Sequence, residues 1–167
     1  MKYRLLFLAA AAVFLLGGAV LWFLLRDSEE AKIRHTLRQL CVLAEKPEKE
    51  NAAVGALKIS RTDEVFAPVC RFDFKYEMFT GNLTPREITS NLARYRVFFR
   101  RSNVSMRDLH LLDITGDHAV AVFTGMLNGV TADGKKVEEV RDFFCKLVKI
   151  EGRWRIDELS VHEVLEK

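Results

Sequence analysis

Apolar side chains recur along this chain with three different spacings. From Leu5 to Leu25 they are continuous, and the 21 residues LLFLAAAAVFLLGGAVLWFLL hold no charged or strongly polar group. As a helix this run would extend about 31 Å, enough to cross a hydrocarbon core of about 30 Å. Beyond it the spacing becomes helical: Ile33, Leu37, Leu40, Cys41 and Ala44 form one stripe, behind Ser28 as a cap and Glu29 and Glu30 in the first turn. KPEKEN interrupts that helix. A second is predicted from about Glu48 with Val54, Leu57 and Ile59 inward, followed by a short turn at RTDEVF and a boundary at Pro68.

The third spacing is alternation. In VCRFDFKYEMF, Phe72, Phe74 and Tyr76 alternate with Asp73, Lys75 and Glu77, which predicts a strand with one apolar face, ending at TGN. TPREITSNLARYRVFFRR returns to the helical period. Thr84 caps it, Pro85 takes the first helical position and Glu87 completes a capping box; Ile88, Leu92, Tyr95 and Phe99 share a face, and the helix is expected to end near Arg100 or Arg101. Then MRDLHLLDI, HAVAVFTGMLNGV, KVEEVRDFFCKLVKI and WRIDELSVHEV read as four strands of a meander, with Gly125 and Gly129 as positions for bulges. The last strand, placed beside FFCKLVKI, completes a sheet whose apolar face the three helices must cover. The class is α+β: a membrane helix, then a cone-shaped domain of three helices on a curved, mostly antiparallel sheet.

Charge orients the apolar run. Lys2 and Arg4 precede it, whereas Arg26 is followed by Asp27, Glu29 and Glu30, so the excess of positive charge lies on the N-terminal side. The expected order is a cytoplasmic tail at 1–4, a single span at 5–25 with Trp22 in the interfacial belt, and an exported domain at 26–167. This places the chain in a bacterial inner membrane with its C-terminal domain in the periplasm. A cleaved signal peptide is the alternative, but WFLLRDSEEA offers no small-x-small cleavage site. Of the 26 basic residues, Lys2, Arg4 and Arg26 belong to the membrane flanks, which leaves 23 against 23 acidic ones. A neutral domain gives no electrostatic warrant for nucleic-acid binding. Cys41, Cys70 and Cys145 form no Cys-x-x-Cys pair and no zinc-finger spacing with histidine, so no metal or cofactor is expected and three buried free thiols are.

The segments RTDEVFAPVCRFDF, GNLTPREI, LLDITGDHAVAVF and EGRWRIDELSV, in that order, resemble the nuclear transport factor 2-like superfamily, which includes SnoaL-like cyclases and ketosteroid isomerases. The resemblance covers about 28–167. It implies a curved sheet wrapped on helices, a cone that often encloses a pocket, and dimerisation through the outer sheet face. It does not fix an activity, because catalytic and non-catalytic members share the fold.

An isomerase-like site would need a carboxylate base in an apolar pocket and an oxyanion donor. Asp73 and Tyr76 are candidates on one strand, though alternation puts them on opposite faces. Asp142 shares a face with Phe144 and Val148 and is the best carboxylate if that face is the pocket. His110 is a further candidate; Tyr95, Phe144 and Trp154 are candidate ligand contacts. Arg94, Arg96, Arg100 and Arg101 make a basic edge on the third helix, expected to pair with Glu138, Glu139 and the acidic EVRDFF segment. With no complete catalytic set, the favoured reading is a single-pass, membrane-anchored, non-catalytic binding or assembly module. Its expected partners are the membrane, a second copy through the outer sheet face, and other proteins. The alternative is an anchored SnoaL-like or ketosteroid isomerase-like enzyme, or a carrier, for an apolar small molecule.

Overall fold

The computed structural model describes residues 29–74 and 79–162. The apolar run 5–25 with its flanks Lys2, Arg4, Trp22 and Arg26, the Ser28 cap and Tyr76 lie outside the described residues. Among the described residues no helix is long and apolar enough to cross a membrane. The chain divides into two units, 1–32 and 33–167. Of the first, residues 29–32 are described; they are helical, and Lys32 Nζ lies 2.7 Å from the Glu29 carboxylate.

Helix α1 is residues 29–44, and in the second unit it is followed by α2 (Ala52–Ile59), the single turn α3 (Thr62–Val65), β1 (Phe66–Asp73), β2 (Thr80–Leu83) and α4 (Pro85–Phe98). The strands β3 (Phe99–Thr115), β4 (His118–Thr131), β5 (Lys136–Ile150) and β6 (Arg153–His162) complete it. The six strands form one sheet in the order β2-β1-β6-β5-β4-β3. All neighbours are antiparallel except β1 and β6, which run parallel. The last strand is therefore internal: it joins the β3–β5 meander to the β1–β2 pair. Its turn from β5 is the two residues Glu151 and Gly152, both at positive φ (50° and 76°), a geometry whose twist matches that of the strands it connects.

One apolar core holds the helices to one side of this sheet. Ile33, Leu37 and Leu43 of α1 and Ile88 and Leu92 of α4 pack with Phe66, Cys70 and Phe72, Ala119, Ala121 and Phe123, Cys145 and Leu147, and Trp154, Ile156 and Leu159. The Thr84 capping box is present, with the Thr84 amide donating to Glu87 Oε2 at 2.8 Å.

Several expectations are corrected. α4 stops at Phe98, and β3 begins at once with Phe99 and not at Met106, because Phe99 to Arg107 pair with Thr131 to Thr124 across the hairpin. β1 starts before Pro68; the exposed proline sits where the register with β6 shifts between Phe66 and Arg71, a site that needs no ladder donor. Gly125 and Gly129 are not bulges: β4 and β5 pair without a shift through both. In the β3–β4 pair the shifts lie at Phe99/Arg101, Arg107/His110 and Leu111/Asp113, with Asp108 at φ 52° inside the second, and in the β5–β6 pair at Lys146/Leu147. Val54 and Leu57 of α2 face solvent, and the one buried residue of that helix is Gly55.

Candidate functional site

Alternation and register divide the sheet into two chemically different faces. Along β4, Ala119, Ala121 and Phe123 are buried on the helix side, so Val120, Val122, Thr124 and Met126 point the other way. The ladder carries this outward: Ala121 pairs with Cys145 and Phe123 with Phe143, whereas Val122 pairs with Phe144, Thr124 with Asp142 and Met126 with Val140.

The helix-side face is lined with phenylalanine. Phe72 lies 5.6 Å from Phe66, 5.7 Å from Phe74 and 5.7 Å from Phe79 between ring centroids, Phe74 lies 5.7 Å from Phe143, and Phe143 stacks on Phe123 at 5.2 Å. Farther along the hairpin the Phe99 ring covers Gly129 and meets Tyr95 at 4.8 Å. Burial pushes the Tyr95 hydroxyl above its ordinary pKa, although its hydrogen bond with Ser102 and the nearby Arg96 charge pull the other way. Ser102 in turn donates to the Ala44 carbonyl at 3.1 Å and accepts from the Lys46 amide, so Tyr95 belongs to a structural network.

The opposite, outer face combines apolar and polar rows. One row crosses the sheet as His110, Val122, Phe144 and Ser160; the next as Arg107, Thr124 and Asp142. Thr124 Oγ1 donates to Asp142 Oδ1 at 2.7 Å. Met126 and Val140 follow on one side, with Val140 56% exposed. On the other side Lys146 Nζ lies 2.8 Å from the Glu158 carboxylate and 5.7 Å from the centroid of the Phe144 ring.

The residues singled out from sequence are therefore dispersed. Asp142, His110 and Phe144 share the outer face. Asp73, exposed beside Phe72 and paired with Ser160, is also turned away from the helices. Trp154 is buried on the inner side, where its carbonyl accepts from Thr36 Oγ1 at 3.0 Å and Lys149 Nζ lies 5.7 Å from its ring. Sequence reasoning passed over Val120, Val122, Met126 and Val140 as a surface, although their alternation with Ala119, Ala121 and Phe123 is the signal that locates it.

The basic edge of α4 has partners other than those expected. Arg96 is 6% exposed and donates to the carbonyls of Leu43 (3.1 Å) and Glu45 (2.6 Å) and to the Glu50 carboxylate, while Arg100 pairs with Glu48. Both acids come from the loop after α1, not from β5. Lys58 Nζ lies 2.9 Å from the same Glu50 carboxylate. Burial alone would raise the Glu50 pKa; hydrogen bonds and charges from Lys58 and Arg96 outweigh it and hold the carboxyl below its ordinary value. Among the described residues no group of three His, Cys, Asp or Glu is placed to hold a metal.

No protein-family model matches the chain, and no curated protein does. Solved structures do. A nuclear transport factor 2-like superfamily protein from Salmonella enterica serovar Typhimurium superposes with a TM-score of 0.64 at 14% identity, covering 85% of this chain and 99% of the other. The fold is nuclear transport factor 2-like. A proposed aromatic ring hydroxylase from Novosphingobium aromaticivorans gives a TM-score of 0.68 at 14% identity over 84% of this chain and 92% of its own. The hexachlorocyclohexane dehydrochlorinase LinA-type3 from Novosphingobium barchaimii gives 0.67 at 10% identity over 82% and 87%. At such identities the nuclear transport factor 2-like likeness concerns the fold and leaves chemistry open.

Proposed function

We propose that this chain is a membrane-anchored assembly module whose nuclear transport factor 2-like domain pairs with a second copy through the outer face of its sheet. In this reading Leu5–Leu25 spans the inner membrane, residues 1–4 remain in the cytoplasm, and the domain stands in the periplasm. The observation that carries it is the contrast between the two faces. The helix side is occupied by the protein's own phenylalanines, while the outer side presents Val122, Phe144, Met126 and Val140 around one satisfied polar pair, Thr124 and Asp142. An isologous two-fold contact uses one patch twice, and an apolar centre interrupted by a satisfied polar pair suits a contact of fixed register. The enzyme reading draws less support, because Asp73, His110 and Asp142 all lie on the side of the sheet away from the helix-covered core.

Cross-linking in native membranes tests the contact. The full chain carrying Val140→Cys, treated with a short bis-maleimide, is expected to give a covalent dimer, whereas Asn82→Cys at the exposed far edge gives none. Absence of a dimer from Val140→Cys in well-expressed membranes would exclude the outer face as the contact. A reporter active only outside the cytoplasm, fused after Lys167, tests the orientation: activity is expected, and silence from an expressed fusion overturns it.

A further inference from the structure

Helix α2 is inside out. Its buried side meets charge: a Cβ built on Gly55 would lie 2.9 Å from Glu50 Oε2 and 3.5 Å from Arg96 Nη2, and Lys58 closes the same cluster 2.9 Å from Glu50 Oε1. Its outward side is apolar. At about 100° per residue, Ala52, Ala56, Ala53, Leu57 and Val54 follow one another around an arc of about 200°, and every one is exposed, Val54 by 49% and Leu57 by 59%. A helix facing water carries polar residues on that arc and apolar ones beneath; here the order is reversed. The ion cluster and Ile59, which packs against the core, hold the helix down, so Ala53, Val54 and Leu57 are not used for docking it on the domain.

Lipid is the occupant that the sequence around this helix favours. Residues 26–51 are all that separate Leu25, the end of the 21-residue apolar run, from Ala52, and 16 of those 26 residues are in α1. Lys49 before the helix and Arg61 beyond its end are exposed cations that suit headgroups, while Asp63 and Glu64 of α3 balance their charge, so the attraction is apolar insertion more than net charge. We propose that α2 lies in the interface of the membrane that anchors the chain, with Ala53, Val54 and Leu57 inserted among the acyl chains. The proposal rests on the anchored reading above.

The test uses the full chain reconstituted in vesicles of phosphatidylethanolamine and phosphatidylglycerol. A diazirine analogue of leucine is incorporated at position 57 and, in a second sample, at exposed position 136 of β5. Photolysis is followed by alkaline extraction and mass spectrometry of the adducts. Lipid adducts at 57, with none at 136, are the expected result. Protein adducts at 57, or none, in chains that stay with the bilayer after extraction would overturn the interfacial helix and leave the anchor standing. Loss of the chain from the bilayer on extraction would overturn both.

Discussion

The ring of Phe143 occupies the space over Gly125. A Cβ built on Gly125 would lie 2.5 Å from Phe143 Cε2 and 3.0 Å from Cδ2, closer than real carbon atoms approach. Phe143 is held there by stacking on Phe123 and by the edge of Phe74. Glycine is thus required at 125 by the neighbouring strand's side chain, with no demand from the backbone.

Gly125→Ala should therefore destabilise the domain although alanine suits a strand better. The expected cost is about 1–3 kcal/mol, the range for overpacking a filled interior. Denaturant unfolding of Gly125→Ala, Phe143→Leu and the double variant measures it. In the double variant the two costs should fall short of their sum, because the smaller side chain at 143 makes room for the methyl.

The Glu50 cluster should make stability depend on pH. The Glu50 carboxyl is held below its ordinary value, so its contribution is complete above the unfolded value of about 4.3 and is lost as pH falls through the folded value. Glu50→Gln should lower stability at neutral pH by about 3–5 kcal/mol, since it leaves Arg96 buried without its counter-charge. Urea midpoints of the two proteins between neutral pH and acid should converge as pH falls. Parallel curves would remove Glu50 from the account.

Thiol reactivity should follow burial. Burial raises the Cys41 pKa to about 11 and pushes Cys70 and Cys145 higher still, with acidic neighbours adding to all three shifts and Cys70 adding further to that of Cys145. All three are free in the fold. At mildly alkaline pH the native domain should react slowly with iodoacetamide, Cys41 first, and the urea-unfolded chain should alkylate fully within the same time.

How much of this was legible in the sequence depended on whether the cause was local. The capping box at Thr84 and Glu87 could be read because both partners lie within one turn, and β4 to β6 could be read because burial on one face imposes alternation. β2 could not: TGNL is exposed at three of four positions and is a strand because β1 pairs with it. The early start of β3 depends likewise on pairing with residues more than twenty positions away. α2 was read with Val54 and Leu57 inward because apolar side chains are normally buried, and here the buried ion cluster of Glu50, Arg96 and Lys58 took that side. Of the candidate site residues, alternation alone already separated Asp142 and Phe144 from Phe143 and Cys145. Which set faced the helices required the fold.

We have proposed that two copies pair through the outer sheet face. The most direct test is sedimentation equilibrium of the full chain in density-matched detergent, beside Phe144→Glu, with thermal unfolding of both to confirm that the variant folds. A buried phenylalanine side chain is worth about 1.5–3 kcal/mol, and a two-fold contact loses it twice. A mass of two chains is expected for the native protein and of one chain for a folded Phe144→Glu. A native protein of one chain, or a variant that remains at two, would contradict it.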